Sequence, residues 1–349
     1  MFSVPVVYSP GHAAHDVRTG VWCGVTIDSD ELPARAESLL AACRRAGASV
    51  HTAEDHGLAP LFAVHDGRFL EILETAHERW IADGHLEDPG AEYVTAYVFP
   101  AVAGPHGGDP SRPATTIRAE IGRFAMDTMT VIGRGTWAGA RAAADAAVSA
   151  ADLVAHGARV AYAITRPPGH HAGRAFFGGS CYLNNAAVAA ARLRAGDATR
   201  VAVVDIDAHH GNGTQAIFWD DPAVLYASLH VDPAAGWFPH TVGHADERDA
   251  SGTNRNVPLA PGTVDGGWLA ALDAICADVR AFGPDAVVVS LGVDAAAEDP
   301  NSPLEVTGTG FAAAGRRLAD LDRPTVLVQE GGYVLDTLAS HVLAVLSAF

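Results

Sequence analysis

The feature that most constrains the fold of this chain is an alternation between short apolar runs and longer alanine-rich stretches. The runs are rich in β-branched residues and predict strands at Val160–Thr165, Val201–Asp207, Val224–Leu229, Ala286–Leu291 and Thr325–Gln329. The alanine-rich stretches predict helices at Trp137–His156, Asn185–Ala195, Gly267–Phe282 and Gly310–Leu321. This order is typical of an α/β protein with a parallel sheet, whose strands are continuously apolar because both faces are buried.

Length and charge limit the class of protein further. With 349 residues, of which 49% are hydrophobic, the chain can bury one large core, and we predict a single domain over residues 1–349. The net charge of -18 argues against a nucleic-acid partner, because phosphate contacts need clustered basic side chains. The same charge suits a cationic substrate, although solubility alone more often explains it.

The cysteines and the first residues indicate the compartment. Cys23, Cys43, Cys181 and Cys276 are scattered without a CxxC pair, so we expect neither a thiolate zinc site nor a disulfide framework. The start MFSVPVVYSP does not resemble a signal peptide, and no apolar run approaches the ~20 residues that span a bilayer. We expect a soluble cytoplasmic protein without a membrane partner.

Two stretches rich in Gly, Pro, His and Asp interrupt the alternation. We predict long surface loops at Pro100–Thr116 and Val231–Gly262. Loops of this length are often functional, but for the first of them a plain connector explains the composition equally well.

The strongest chemical signal is VAVVDIDAHHGNG at positions 201–213. Residues two apart in an extended chain share a face, so Asp205, Asp207 and His209 converge where this buried strand ends. Two carboxylates are costly to bury unless a cation or hydrogen bonds satisfy them. The segment therefore indicates either a metal site or a structural salt-bridge cluster.

Other strand ends favour the metal site. Asp294 follows Ala286–Leu291 and supplies a second carboxylate beside Asp207 and His209. Three oxygen and nitrogen ligands leave a position open for water, as in catalytic zinc sites. A carboxylate-rich set also suits Fe²⁺, Co²⁺ or Mn²⁺. Gly211 stands where a two-metal site of the arginase sort would want a further carboxylate, so we expect one catalytic metal ion.

Seven motifs together resemble those of the histone deacetylase family, in particular its acetylpolyamine amidohydrolase and class II-like branch. They are RPPGHHAG at 166–173, CYLNNAAVAA at 181–190, VVDIDAHHGNGT at 203–214, ASLH at 227–230, WFPH at 237–240, VVVSLGVD at 287–294 with EDP at 298–300, and EGGY at 330–333. They occur in the family's order and extend over essentially the whole chain. The resemblance implies the arginase-deacetylase fold, a single three-layer α/β/α domain with a mainly parallel eight-stranded sheet.

The resemblance also implies roles for individual residues. Zinc would bind to Asp207, His209 and Asp294. His171, oriented by Asn212, resembles the general base and acid. His170, paired with Asp205, resembles the second histidine, and Tyr333 resembles the phenol that binds the substrate carbonyl. A structural K⁺ site is implied at Asp205, Ser228 and the main-chain carbonyls of Asp207, His209 and Leu229.

The positions that line the family's substrate tunnel are less regular. They correspond here to Ser180, Phe238, Gly331, Gly332, Asn301 and Trp22. Ser180 stands where an aromatic wall is usual, which predicts a wider tunnel unless Phe176, Phe177 or Trp22 fills the gap. Arg118 and Met129 stand where carboxylates that hold a cationic amine are expected, and Asp109, Asp232 or Glu298 could take their place.

These observations predict a zinc-dependent amidohydrolase that deacetylates a small acylated amine, either polyamine-like or of another kind. A protein acetyl-lysine deacetylase is the alternative with the same chemistry. A catalytically silent sensor of acylated amines is the alternative from another class. The resemblance further suggests a homodimer.

Overall fold

The computed structural model describes residues 3–84, 93–96 and 116–349. The strands are β1 (Val6–Tyr8), β2 (Thr19–Trp22), β3 (Val25–Asp28), β4 (Val50–Thr52), β5 (Val160–Ile164), β6 (Val201–Asp205), β7 (Val224–Val231), β8 (Asn254–Leu259), β9 (Ala286–Leu291) and β10 (Thr325–Gln329). Eight of them form one sheet in the order β4-β1-β5-β10-β9-β6-β7-β8, and every neighbouring pair is parallel. Strands β2 and β3 form a separate antiparallel hairpin.

Helices connect the strands. They are α1 (Pro33–Arg45), α2 (Ala59–Phe62), α3 (Gly67–Ala82), α4 (Ile117–Ile121), α5 (Thr136–Ala155), α6 (Asn185–Arg194), α7 (Asn212–Phe218), α8 (Asp265–Phe282), α9 (Gly308–Ala319) and α10 (Leu335–Leu346). Within the described ranges, none of these helices combines the length and the apolar character that crossing a membrane requires.

Alternate residues of each sheet strand enter two different cores. In β5, Ala161 and Ala163 belong to the core under α3, α5 and α6, whereas Val160 and Tyr162 belong to the core under α1, α8, α9 and α10. Successive side chains of a strand point to opposite faces, so the sheet is covered by helices on both sides. The architecture is therefore the predicted three-layer α/β/α arrangement.

All five strands and four helices predicted from the sequence are present, each within two residues of its predicted ends. Of the two predicted loops, Pro100–Thr116 lies outside the described residues except for Thr116. The prediction for Val231–Gly262 is wrong in part, because Val231 ends β7 and Asn254–Leu259 forms β8. This strand does not look apolar because Asn254 and Asn256 turn inward and donate to Gln215 Oε1.

Small residues set how closely the helices approach one another. A Cβ atom added at Gly315, inside α9, would lie 2.4 Å from the carbonyl oxygen of Val345 in α10. Real Cβ atoms do not approach a backbone oxygen so closely, so glycine is required for this contact. By contrast, a Cβ added at Gly266 in the first turn of α8 would meet nothing within 4 Å.

The centre of the sheet determines where the functional residues meet. Strands β5, β10, β9 and β6 are consecutive neighbours in the sheet and all run in the same direction. The loops that follow them therefore leave from one edge, which is where open α/β sheets bind their ligands.

Candidate active site

Three ligating side chains meet where β6 and β9 end. Asp207 and His209 follow β6, and Asp294 follows β9; one ligand atom from each lies within 4.8 Å of the others. His209 Nδ1 is 2.9 Å from Asp294 Oδ2 and 3.2 Å from Asp207 Oδ1. Both carboxylates are buried, while His209 is 15% exposed and faces a cavity. The predicted ligand set therefore converges at a point that remains accessible to a small molecule.

The remaining carboxylate oxygens are held by main-chain amides. Gly331 N donates to Asp207 Oδ2 over 2.8 Å, and Ala208 N donates to Asp294 Oδ1 over 2.9 Å. Burial and the adjacent charge of Asp207 raise the pKa of Asp294 to about 7. Two buried carboxylates this close repel each other when both are ionised, and a bound cation removes that cost. The donor set thus fits a divalent metal ion.

A second buried group of possible ligands, His170, Cys181 and Glu330, has a different character. Glu330 Oε2 accepts from the main-chain N–H groups of Gly169 (2.7 Å) and His170 (3.2 Å), and Glu330 Oε1 accepts from Ser290 Oγ (3.3 Å). Both oxygens are therefore already engaged. Glu330 anchors the two histidines from the adjacent strand, a role that the sequence did not reveal because acidic residues are usually exposed.

His171 and His170 follow β5 and are oriented by different partners. His171 Nδ1 donates to Asn212 Oδ1 over 2.7 Å, which leaves Nε2 free to accept a proton. His170 Nδ1 is 3.0 Å from Asp205 Oδ2. Both predicted pairs are present, and each partner fixes one nitrogen of its histidine.

The pKa values of these two histidines are shifted in opposite directions. Burial opposes a charge on His170, but Asp207 and Asp205 raise its pKa to about 10. Burial and the neighbouring His170 and His209 hold the pKa of His171 well below 6.5. From the sequence alone, the neutral partner Asn212 predicts that the pKa of His171 lies nearer to its ordinary value than that of His170, whose charged form the carboxylate of Asp205 favours. That expectation omitted burial and the adjacent imidazoles.

Tyr333, which follows β10, presents its ring to the cavity. Its main-chain N–H donates to Asp299 Oδ2 over 2.8 Å, and the Arg35 guanidinium lies 4.6 Å from the ring centroid. Burial raises the pKa of the phenol well above 10, so its hydroxyl keeps its proton at neutral pH. Tyr333 is therefore a hydrogen-bond donor at the inner part of the cavity.

Behind Tyr333 lies a buried network of charges that the sequence did not predict. Arg35 donates to the carbonyl oxygens of Gly332 (2.6 Å) and Glu330 (2.5 Å), and to Glu31 Oε1 (2.9 Å). Arg166 Nε also lies 2.9 Å from Glu31 Oε1. All three charged side chains are at most 3% exposed. The network connects the loop before α1 to the segment that carries Tyr333.

A cavity of about 390 Å³ opens above these residues, and we call it the active-site cavity. His171, His209 and Tyr333 line it, together with Ser180, Phe238, Asn301 and Trp22, four of the predicted tunnel positions. Gly331 and Gly332 do not line the described part of the cavity; Gly331 packs against Asp207 and Asp294 instead.

Of the residues proposed to replace the missing aromatic wall, Trp22 lines the cavity, whereas Phe177 stacks on Tyr182 with ring centroids 6.0 Å apart. Among the described residues that line the cavity with Ser180, the one phenylalanine is Phe238. The gap is therefore only partly filled.

Carboxylates do line the cavity, but not those suggested from the sequence. They are Asp28 and Asp30, near the end of the β2–β3 hairpin, and the buried Glu31. No lysine or arginine occurs among the described lining residues. Asp232 caps the short 3-10 helix at Pro233–Ala235, Glu298 lies beside His341, and Asp109 falls outside the described residues. The hairpin was missed because Asp28 and Asp30 belong to no recognisable motif.

The residues of the predicted K⁺ site also lie together. Asp205 pairs with Ser228 across β6 and β7, and Asp205 Oδ2 accepts from the Tyr226 hydroxyl over 3.3 Å. Ser228 Oγ lies 2.8 Å from His230 Nδ1. Leu229 follows Ser228 in β7, so the proposed carbonyl ligands come from neighbouring segments.

Comparisons with known proteins agree with this geometry. Over 347 residues the chain is 38% identical to acetylpolyamine amidohydrolase 1 of Pseudomonas aeruginosa, covering 98% of each chain. It is 39% identical to the acetylpolyamine amidohydrolase of Mycoplana ramosa, again over 98% of each chain. The crystal structure of acetylpolyamine aminohydrolase from Burkholderia pseudomallei superposes with a TM-score of 0.93 at 38% identity, covering 99% of this chain and 98% of that one.

Similarity to eukaryotic relatives is more limited in extent. Histone deacetylase 8 of Arabidopsis thaliana is 39% identical over 61% of this chain and 60% of its own length. The family described as "Histone deacetylase domain" matches residues 29–349, which include the three candidate metal ligands, His170, His171 and Tyr333. The chain belongs to the histone deacetylase family.

Proposed function

We propose that this protein is a metal-dependent amidohydrolase that removes the acetyl group from an acetylated small amine, with a polyamine as the leading substrate. The observation that carries the proposal is the convergence of Asp207, His209 and Asp294 beside His171 and Tyr333 at the inner end of one cavity. Relatives over the full length of the chain are named for hydrolysis of acetylpolyamines, which supports the same class of substrate here.

Asp207, His209 and Asp294 would hold the metal ion, and we propose Zn²⁺, although the carboxylates also suit Fe²⁺, Co²⁺ or Mn²⁺. When bound, such an ion supplies Lewis-acid polarisation of the amide carbonyl and a more acidic water. A Cβ at Gly292 or Gly331 would lie 2.0 Å or 2.6 Å from Asp207 Oδ2, so protein atoms pack tightly against the ligands.

The chain's own residues then perform the proton transfers. His171 Nε2, free because Nδ1 donates to Asn212, accepts a proton from the attacking water and returns a proton to the departing amine nitrogen. The Tyr333 hydroxyl donates to the carbonyl oxygen and holds the negative charge that develops on it. His170, charged beside Asp205, adds a positive charge close to the reacting atoms. Amides release amines poorly, so a positioned acid is as necessary as the nucleophile.

The charges of the cavity favour an amine substrate. Asp28 and Asp30 line it without a described lysine or arginine, so a second, protonated amino group of a polyamine is attracted there. A protein acetyl-lysine deacetylase is less well supported, because the named histone deacetylases match only part of the chain. The complete set of ligands, histidines and tyrosine likewise argues against a silent sensor.

Further parts of the proposal concern the surroundings of the site. We place a structural K⁺ ion at Asp205, Ser228 and the carbonyls of Asp207, His209 and Leu229, and we propose one domain that works in the cytoplasm as a homodimer. Four free cysteines, three of them buried, suit a reducing compartment. Activity that depends on K⁺ rather than Na⁺ tests the proposed K⁺ site. The mass of the assembly in solution tests the proposed homodimer.

The experiment that tests the function is a panel of acetylated putrescine, cadaverine and spermidine against acetyl-lysine peptides, on zinc-loaded protein. We expect hydrolysis of the small amines, and we expect His171→Ala to nearly abolish turnover while the metal content is retained. Hydrolysis of peptides alone would replace the leading substrate. No hydrolysis of any amide by metal-loaded protein would refute the assignment as an amidohydrolase.

A further inference from the structure

The active-site cavity has a rigid turn at Gly179 and Ser180. Asp127 Oδ2 accepts from Gly179 N, and Thr130 Oγ1 accepts from Ser180 N over 2.9 Å. Asp127 also accepts from Thr130 N over 2.7 Å, so the turn and the segment 127–130 form one hydrogen-bonded unit. Ser180 has a φ of +63°, a conformation that these hydrogen bonds stabilise. The small side chain of Ser180 is therefore held in a defined place in the lining.

Next to this turn the cavity reaches residues that are otherwise buried. His15, Val17, Val131 and Tyr182 are 2–6% exposed, yet all four line the cavity. Tyr182 lies two residues after Ser180, and its hydroxyl donates to the carbonyl oxygen of Val131. We call the space lined by these four residues the side chamber.

The side chamber presents aromatic and aliphatic surface, with the buried Glu31 carboxylate at its edge, 3.5 Å from His15 Nε2. The Tyr182 hydroxyl is engaged with Val131, and His15 Nδ1 is engaged with Thr136 Oγ1 over 3.0 Å. The rings of His15 and Tyr182 are arranged edge to face, with centroids 5.2 Å apart. Burial lowers the pKa of His15 to about 4, so its ring is neutral near pH 7. Rings and methyl groups of this kind suit an aromatic or branched aliphatic group.

The wall of the cavity near the chamber is held in place. A Cβ at Gly20 would lie 2.6 Å from the carbonyl oxygen of Met129, so the β2–β3 hairpin packs directly on the segment that supports Ser180. Thr128 Oγ1 donates to the Val21 carbonyl oxygen over 3.0 Å. The chamber is thus preformed, and a ligand that enters it does not have to displace the hairpin.

We propose that the side chamber receives a ring or an apolar branch on the amine side of the acetylated substrate. The enzyme would then prefer ring-bearing acetylated amines to unbranched ones of similar polarity. This inference rests on the proposed function. The amine side is favoured because Gly292, Gly331, Asp207 and Asp294 are not among the described residues that line the cavity, so the described lining offers no space beside the proposed metal ligands for a large acyl group. Ser180 is the residue that determines this specificity, since a larger side chain there would narrow the entrance to the chamber.

The test compares N-benzylacetamide with N-butylacetamide, two neutral amides that differ in the ring. For zinc-loaded wild-type protein we expect kcat/KM to be at least tenfold higher for the benzyl compound. Ser180→Phe should lower this ratio at least tenfold. Ser180→Leu provides the same comparison with a smaller side chain if the phenylalanine variant does not fold. Thr26→Phe adds an aromatic ring on the exposed part of β3, outside the described lining, and should keep the wild-type ratio.

Binding provides a second readout that does not need turnover. Calorimetry on zinc-loaded His171→Ala should show tighter binding of the benzyl compound, and the double variant with Ser180→Phe should lose this preference. Equal binding and equal kcat/KM for the two amides would overturn the inference. If the binding preference is present but wild-type protein hydrolyses neither amide nor any acetylated polyamine, the proposed function fails and the chamber stands. If the protein preferred a ring only on the acyl side, as in N-butyl-2-phenylacetamide, the placement of the ring on the amine side of the substrate would be overturned.

Discussion

Single hydrogen bonds determine what each histidine of the site can do. The bond from His171 Nδ1 to Asn212 Oδ1 selects the tautomer in which Nε2 accepts a proton. Asn212→Ala removes the acceptor, and we expect kcat to fall about 10- to 100-fold with little change in KM, part of the 10²–10⁴-fold that a general base contributes. Steady-state kinetics measure this.

The matched control for that variant is Asn212→Asp, which keeps an oxygen acceptor at the same position. It should retain clearly more activity than Asn212→Ala. If the two variants lost the same amount of activity, kcat would depend on the carboxamide group of asparagine and not on the tautomer of His171.

The buried charge of Glu31 predicts how stability depends on pH. Burial alone would raise the pKa of Glu31, but Arg166 and Arg35 lower it below the ordinary value of 4.5. A carboxylate with a lowered pKa in the folded state stabilises the protein above the unfolded pKa, and this contribution is lost as the pH falls through the folded pKa. Glu31→Gln should therefore lower the free energy of unfolding at pH 7 by about 3–5 kcal/mol, because two buried cations lose their partner.

Denaturant unfolding of wild type and Glu31→Gln at pH 7 and at pH 4 or below measures both effects. The difference between the two proteins should shrink as the pH falls. Glu71→Gln, on the exposed surface of α3, removes a carboxylate without a buried partner and should change stability by less than about 0.5 kcal/mol. A constant difference at all pH values would contradict the role given to the charge.

At the scale of single residues, the sequence predicted which side chains lie together in the site, but it did not predict the buried residues that support them. Asp207, His209 and Asp294 could be recognised because ionisable residues directly follow apolar strands. The burial of Arg35 and Glu31 could not be recognised, since charged residues are normally exposed. Only the packing of α1 against the segment after β10 shows that both are buried.

Among the elements, the β2–β3 hairpin brings carboxylates to the cavity. Asp30 lines the cavity and accepts from Asn301 Nδ2 over 3.3 Å. Asp30→Asn keeps the shape and removes the charge. We expect KM for acetylputrescine to rise about 2- to 5-fold at low salt, as for an exposed ion pair, with a smaller effect at high salt. KM for neutral N-butylacetamide should not change.

Glu74→Gln serves as the charge-matched control for this variant, because Glu74 is exposed on α3 and does not line the cavity. It should leave both KM values as they are. An equal rise of KM for the charged and the neutral amide in Asp30→Asn would show that the hairpin shapes the cavity without attracting a cation.

Helix packing makes a prediction that is independent of function. Gly315→Ala places a methyl group against the Val345 carbonyl oxygen and should destabilise the protein by about 1–3 kcal/mol, as overpacking does. Gly266→Ala meets open space in the first turn of α8 and should be neutral or stabilising by up to about 1 kcal/mol. Thermal unfolding of the two variants compares them; equal stability would mean that α9 and α10 readjust without cost.

Strands β5, β6, β7, β9 and β10 were predictable because they are rich in apolar residues and buried along their whole length. The hairpin was not, since its turn at Cys23 and Gly24 has positive φ angles of 50° and 80° but lacks the usual Asn-Gly pair. Strand β8 was missed for a different reason. Asn254 and Asn256 form hydrogen bonds in a buried polar network, and a pattern of apolar residues does not predict such a network.

For the molecule as a whole, the proposed metal ligands are expected to link stability to metal binding. Asp207, His209 and Asp294 follow two different strands, so they come together only in the folded protein. An ion that binds only the folded state stabilises it by about 2.7 kcal/mol when the concentration of the free ion is a hundred times its Kd. We expect a chelator to abolish activity and lower Tm, and added Zn²⁺ to restore both. His209→Ala, measured in parallel, should show a Tm that no longer responds to the chelator.

The strand order could not be predicted from the hydrophobic pattern, because an apolar run does not indicate which strands lie beside it in the sheet. The resemblance of the motifs to a known family implied an eight-stranded sheet, and the order of its strands is known from the structure. The structure shows that the order matters, since it makes β5, β10, β9 and β6 adjacent and so brings histidines, tyrosine and metal ligands to one edge.

That order also bears on how the protein is synthesised. β10 is the last of the described strands along the chain, yet it lies between β5 and β9 at the middle of the sheet. In the folded chain β10 joins β4-β1-β5 to β9-β6-β7-β8, so a chain without β10 would leave β5 and β9 as unpaired edges and Arg35 without the carbonyl oxygens of Glu330 and Gly332. We therefore expect a chain that terminates shortly before residue 325 to lack the assembled site and to expose strand edges that favour aggregation.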